Sequence, residues 1–437
     1  MRAIPAFLVF SVFASAAAAQ QGAVLFEGAR LIVGDGGSPI ENSAFLVADN
    51  KFKTIGKKGE VQLPPGATRV DLAGKTVMPA LVDAHTHLGW EVIKTGRIAD
   101  DTYTRDNLID HLKREAYYGI AAVQSMGIDK GDIPYQVRAN PLPDAALFRT
   151  AGRGMAMPNA GPGAAYWRPV AYGVSTEAEA RAAVRELAAK KVDLVKIWVD
   201  DRNGTVKKLT PPLYRAIIDE AHKNNLRVAA HIFYLEDAKE LLRSGIDIFA
   251  HGIRDKDVDA DAISLFKQHP RVVVIPNLPE RETTEADLAF AAETVPAAEI
   301  AKMRAALRAV TPDAAKKAHD FYGVQARNLA KLNAAGVRIA FGTDSSAAVG
   351  WNDHQEMTDM VTAGMTPAQV IVAATKTAAE TMKLDQLGTI AAGKSADFLV
   401  LDANPLENIN NTRRISAVYL RGKKLDRPAM RVGLVGR

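Results

Sequence analysis

The sequence predicts an α/β chain: a (β/α)8 TIM-type barrel beside a small β-sandwich domain built from both chain ends. Three observations lead there. The middle of the chain alternates short apolar β-type runs with helical segments, the pattern of βα units around a parallel sheet. Eight such runs can be counted, the number that closes a barrel. The two ends of the chain, in contrast, are strand-rich and punctuated by turns.

In chain order, Ala23–Phe26, Arg30–Val33, Ala44–Val47 and Phe52–Ile55 are short β-type runs separated by turn signals such as Gly34–Gly37, Asp49-Asn50 and Pro64-Pro65-Gly66. The C-terminal end has the same texture in Ala396–Leu401, Ala417–Leu420 and Gly422-Lys423-Lys424. These two stretches, 20–75 and 386–437, are assigned to one small domain, leaving 76–385 for the barrel. Its expected strands are Ala80–Ala84, Ile120–Ser125, Ala146–Thr150, Leu194–Val199, Arg227–His231, Asp247–His251, Val272–Pro276 and Val337–Thr343. Helix starts are legible between them. Thr176 with Glu179 makes a capping-box pattern, and Thr210 followed by Pro211 opens another helix. The Ala-rich, charge-rich stretch around 280–335 is too long for a simple connection and reads as inserted helices at the barrel mouth, a candidate lid.

A length of 437 residues suits a large barrel with an accessory domain. The formal charge of +5 is small for that size, and no basic stripe is interleaved with aromatics, so nucleic acid is excluded as a partner. Residues 1–19 read as a secretory signal peptide. Arg2 supplies the n-region, Ile4–Phe13 the apolar h-region, and Ala17-Ala18-Ala19 a small-residue cleavage site before Gln20. The apolar stretch is short for a membrane span, so no stable membrane anchor is expected. Export, most plausibly to a bacterial periplasm, is the resulting expectation. The chain has no cysteine, so a metal would be held by nitrogen and oxygen donors alone.

His85-Thr86-His87 closes the apolar run Thr76–Ala84. On a strand, residues i and i+2 leave the same face, so these imidazoles project together from its end, close enough to hold one metal ion. Four further ligand-type residues share that placement. Lys196 lies inside Leu194–Val199, where an unpaired ammonium is costly. His231, His251 and Asp344 each end an apolar run. Polar residues at the C-terminal ends of strands are where barrels build active sites. Singly, each has an ordinary reading: a strand-capping histidine, a snorkelling or paired lysine, a helix N-cap aspartate.

The ordered set Val82-Asp83-Ala84-His85-Thr86-His87-Leu88, Val195-Lys196, Ala230-His231, Ala250-His251-Gly252, Phe341-Gly342-Thr343-Asp344-Ser345 and the tail Gly388–Asp397 resembles the amidohydrolase superfamily of metal-dependent barrels. Within it, the imidazolonepropionase-like branch, with exported dipeptidases and N-acyl amino acid hydrolases, is the nearest in pattern. The resemblance implies two divalent metals, usually zinc. His85 and His87 would bind the more buried one with Asp344, and His231 and His251 the other. Lys196, carboxylated by CO2, would bridge both. Metals roughly 3.5–4 Å apart share a hydroxide and polarise the scissile carbonyl. Asp344 would take the nucleophile's proton and pass it to the leaving amine.

The implied activity is hydrolysis of an amide (C–N) bond in a small N-acyl amino acid or dipeptide-like molecule. A second enzymatic reading keeps the site and changes the bond to that of a lactone, aryl ester or phosphotriester. A deaminase fits less well, because a bridging lysine points to two metals. A non-enzymatic scaffold predicts decay of the ligand set, yet none of the six positions is lost. The dipeptidase-like relatives tend to carry tyrosine two residues after the fifth-strand histidine, where this chain has Phe233 with Tyr234 beside it. They often have Gly-Gly-His after the third strand, where this chain reads Met157–Pro162. Candidate substrate contacts are Tyr234, Arg254 and His354. His354 and Glu356 are expected on one loop after Asp344, with loop stabilisation as the alternative for His354. Arg254 and Arg202 are candidate carboxylate clamps, with solvated surface as the alternative for each. A homo-oligomer is allowed and not specified.

Overall fold

The structure, a computed structural model, describes residues 22–278 and 283–436. The expected export segment, 1–19, lies outside the described residues. The eight expected parallel strands are β1 (Leu81–Thr86), β2 (Ile120–Ser125), β3 (Leu147–Thr150), β4 (Val195–Val199), β5 (Val228–Ile232), β6 (Ile248–Ala250), β7 (Val273–Ile275) and β8 (Arg338–Ile339). Nearly every residue in them is buried, because helices cover the sheet outside and side chains fill it inside. That double burial is why these strands read as continuous apolar runs rather than alternating ones.

Hydrogen bonding groups the strands as β3-β2-β1 and as a seven-stranded sheet in which Tyr172–Gly173 and Met155–Ala156 precede β4-β5-β6-β7-β8. Backbone bonds tie the residues after β8 to β1: Ala84 N–H to Phe341 O at 3.0 Å, and His87 N–H to Ser345 O at 2.7 Å. Near β3, Asp193 N–H donates to Thr150 O at 2.9 Å and Gly154 N–H to Gly127 O at 2.7 Å. The covering helices follow from their patterns. Thr176 and Glu179 cap each other reciprocally at 3.2 and 3.1 Å. The helix they open, Glu177–Ala189, buries Ala180, Ala183, Val184 and Leu187, one stripe at helical spacing.

Two sheets come from the chain ends. One runs Lys51–Lys57, Ser43–Ala48, Val24–Glu27, Thr68–Asp71; the other Arg30–Leu31, Thr76–Pro79, Phe398–Leu401, Ile415–Leu420, Lys423–Lys424. They share an aromatic core in which Phe26 stacks on Phe45 at 4.9 Å and Phe398 on Tyr419 at 4.4 Å. Each such pair contributes about 1 kcal/mol beyond its burial. The apolar run Thr76–Ala84 serves both units. Thr76–Pro79 pairs antiparallel with Phe398–Leu401, and from Leu81 onward the chain is β1. The C-terminal helix Arg427–Val435 leaves the β texture expected there and lies on the helix Arg105–Tyr117, with Arg114 Nη2 donating to Leu434 O at 3.0 Å.

The long connection before β8 holds the helices Glu285–Ala291, Ala297–Arg308 and Pro312–Ala334. The last of them brings Phe321 and Gln325 to the cavity at the C-terminal ends of the strands. Among the described residues, no helix is long and apolar enough to cross a membrane.

Candidate metal centre

Six side chains expected from the sequence converge at the C-terminal ends of β1, β4, β5, β6 and β8. Asp344 Oδ1 lies 3.1 Å from His85 Nε2 and 3.0 Å from His87 Nε2, and Asp344 Oδ2 lies 3.7 Å from His251 Nε2. Lys196 Nζ is 3.4 Å from His85 Nε2. The His231 and His251 rings are 4.5 Å apart, and those of His85 and His251 5.0 Å. Donor atoms of His85, His87 and Asp344 all fall within 4.8 Å of one another, close enough to hold a divalent metal.

Burial sets the protonation states. Desolvation lowers His85 to about 3, and keeps His231 and His251 well below the usual histidine range. All three are therefore neutral, the form that ligates metal. Burial opposes ionisation of Asp344, but His251, His85 and His87 together hold its carboxyl well below the ordinary value. Lys196, fully buried, falls to about 7: desolvation is the main cause, Arg254 and Arg202 add to it, and Asp344 alone opposes it.

Two polar residues orient the imidazoles. His85 Nδ1–H donates to Asn277 Oδ1 at 2.8 Å, which leaves Nε2 and its lone pair facing Asp344. His231 Nε2–H donates to Asp200 Oδ2 at 3.0 Å, which leaves Nδ1 unprotonated. Burial works against ionisation of Asp200, but His231 and Arg202 hold it at about 2. A third group, Asp83, accepts from His85 N–H at 2.8 Å and Thr343 Oγ1–H at 2.6 Å, fixing β1 against the β8 end. Asp200 and Asn277 were not singled out from the sequence. The only available signal was their place just past β4 and β7, the same one that picked out His251.

The donor set fits a metal. The Nε2 atoms of His85, His87 and His251 all turn toward the Asp344 carboxylate, so nitrogen and oxygen donors face one point. Three residues here also hold left-handed backbone without being glycine: His251 at φ 98°, Asp344 at φ 59° and Asn277 at φ 42°. Such strain is tolerated where the surroundings over-determine the conformation, which is common at functional sites.

The substrate-contact expectations divide. Arg254 does reach the site. It lines a cavity of about 380 Å³ with His251, Asn277, Phe321, Gln325 and Asp344. Tyr234 turns away: its hydroxyl donates to Asp201 at 2.7 Å and its ring lies 4.8 Å from the Lys208 ammonium. Arg202 is tied to Asp200 at 3.1 Å and to Gly161 O at 2.9 Å. His354 is a correction. It lies on a helix, Trp351–Thr362, not on a loop, and is fully buried away from the cavity. Nε2 donates to Tyr118 O and Nδ1 sits beside Thr412 Oγ1, each at 2.9 Å, leaving nothing for a substrate. Glu356 follows by two residues, roughly 200° round the helix, and so reaches the cavity His354 cannot.

Aromatic side chains pack beside these residues. Trp167 lies 6.3 Å from His87 and 6.1 Å from Trp90, and Lys196 Nζ is 5.7 Å from the Trp198 ring.

Comparison with known proteins agrees with this geometry. The sequence model of the amidohydrolase family matches residues 76–425. Ochratoxinase from Aspergillus niger is 26% identical over 451 residues, covering 92% of this chain and 86% of that protein. Imidazolonepropionase from Deinococcus radiodurans is 26% identical over 402 residues, covering 88% and 92%. The crystal structure of phenylurea hydrolase B superposes with a TM-score of 0.76 at 21% identity, covering 95% of this chain and all of that one. The fold is of the TIM-barrel type.

Proposed function

The chain belongs to the amidohydrolase family, a hydrolase of carbon–nitrogen bonds, and we propose that it cleaves the amide of an N-acyl amino acid or dipeptide-like molecule at a two-metal centre. The observation that carries this is the convergence of four imidazoles, Lys196 and Asp344, with His251 and Asp344 opening onto the cavity.

His85, His87 and Asp344 would hold one ion, and His231 and His251 the other. Two divalent ions there, zinc by the nitrogen and oxygen character of the donors, would acidify a water and polarise the scissile carbonyl. Lys196 would serve the ions as a carbamate. Its neutral amine would add to CO2, forming a nitrogen–carbon bond as the amine proton leaves to solvent. The product would be an anionic oxygen ligand in place of a buried cation. Asp344 accepts the attacking water's proton and delivers it to the leaving nitrogen. Asn277 and Asp200 keep their histidines in the ligating tautomer. The frame for this chemistry is a closed eight-stranded barrel of 76–385, with 20–75 and 386–437 forming a β-sandwich beside it.

Metal analysis of the purified protein, paired with a screen of dipeptides, N-acyl amino acids, lactones and aryl esters, tests the reading. Two divalent ions per chain and amide turnover are expected. Cleavage of lactones or esters alone overturns the amide assignment.

A further inference from the structure

Arg254 is a cation on the cavity wall that the chemistry above leaves idle. It follows β6 closely, and its backbone N–H is anchored to Phe233 O at 2.9 Å. Its Nε and Nη2 are buried, and neither has a hydrogen-bond partner among the described residues. Burial depresses even this group, to about 10, and of the charges that act on it Asp344 and Asp200 favour the cation while Arg202 opposes it. A buried cation without a carboxylate against it is costly, so folding alone gives no reason to keep one here. A guanidinium edge offers parallel donors matched to the two oxygens of a carboxylate.

Position indicates which half of a substrate supplies that carboxylate. Asp344, which protonates the leaving nitrogen, lines the same cavity as Arg254. The leaving half therefore occupies this cavity, between the metal ligands and the inserted helix that carries Phe321 and Gln325. The other half lies toward Trp167, whose ring is 6.3 Å from His87. We propose that the substrate is an N-acyl amino acid whose free carboxylate, on the leaving half, is gripped by Arg254, with an apolar acyl group against Trp167. The placement of the two halves rests on the amide-hydrolase reading; the grip itself does not.

The test is isothermal titration of the metal-loaded full chain with 3-phenylpropionate and with 3-phenylpropan-1-ol, leaving-half mimics that differ in the carboxylate and cannot be hydrolysed. Wild type should bind the acid about 100-fold more tightly than the alcohol, the range for a buried charge-assisted pair. Arg254→Gln should shrink that preference to about threefold or less, and Arg254→Lys should recover only part of it, because an ammonium lacks the fork. Arg254→Met should also raise the melting temperature of the ligand-free protein, since it removes an uncompensated buried charge. Acid affinity unchanged in Arg254→Gln would mean that the metals take the carboxylate and would overturn the clamp. So would equal affinity of wild type for the two mimics, binding of neither, or a lower melting temperature for Arg254→Met. Acid-selective binding without turnover of any amide would remove the amide reading and leave the clamp; amide turnover with equal affinities would do the reverse.

Discussion

Lys196→Met should stabilise the metal-free protein while removing its metal chemistry. In the folded chain Lys196 Nζ has His85 Nε2 at 3.4 Å and, among the described residues, no carboxylate paired with it, and burial, Arg254 and Arg202 together bring it from 10.5 to about 7. If that depression were fully realised, keeping the ammonium charged in the fold would cost about 5 kcal/mol, which is an upper bound. The sign follows from linkage. Between about pH 7 and about pH 10.5 the unfolded chain binds the proton that the folded chain has lost, so stability rises with pH across that window, and the penalty is fully present below it. Methionine has a similar shape and no charge. The variant should therefore exceed wild type in stability at about pH 6, and its advantage should shrink by about 3 kcal/mol by about pH 9. Urea unfolding with chelator present and CO2 purged measures both quantities. A variant less stable than wild type at the lower pH, or a difference that ignores pH, would show that Lys196 is paired inside the fold and would remove the basis for its carboxylation.

Three further outcomes are expected. Asp344→Asn keeps a ligating oxygen but loses the base, so metal content should persist while kcat falls by about a thousandfold; near-normal turnover would take proton transfer away from this residue. Asn277→Ala releases the His85 ring and should weaken metal affinity by about 10–100-fold in competition with a chromophoric chelator, with little change in fold by circular dichroism. His354→Phe should lower stability by about 1–3 kcal/mol through lost buried hydrogen bonds and leave KM unchanged, a split that a substrate contact would not produce.

The strands of the barrel were legible because burial on both faces leaves little freedom of composition, and His85-Thr86-His87 was legible because period two puts both rings on one side. Asp200 and Asn277 carry no such mark. A polar residue past a strand is common, and only the ring nitrogen facing it gives it a role. Arg254 reads equally well as surface, because the helix that shares its cavity, Pro312–Ala334, lies far along the chain. His354 misled for a local reason: nearness to Asp344 in sequence says nothing about which side of a helix a residue occupies. The division at residue 76 was blurred because one apolar run continues through two sheets.

The pairing of Thr76–Pro79 with Phe398–Leu401 has a consequence for how the molecule comes into being. A strand that emerges early in synthesis has to wait for a partner made near the end, and β1 waits likewise for the residues after β8. Contacts so distant along the chain make for slow assembly and leave sheet edges open in the interval. The nascent chain therefore spends most of its synthesis with these pairings unmade, and a premature stop before Phe398 would leave the aromatic rings of the N-terminal sheet without their cover. Such truncated chains would meet cellular quality control as exposed β edges, and for them aggregation or proteolysis would come before any question of catalysis.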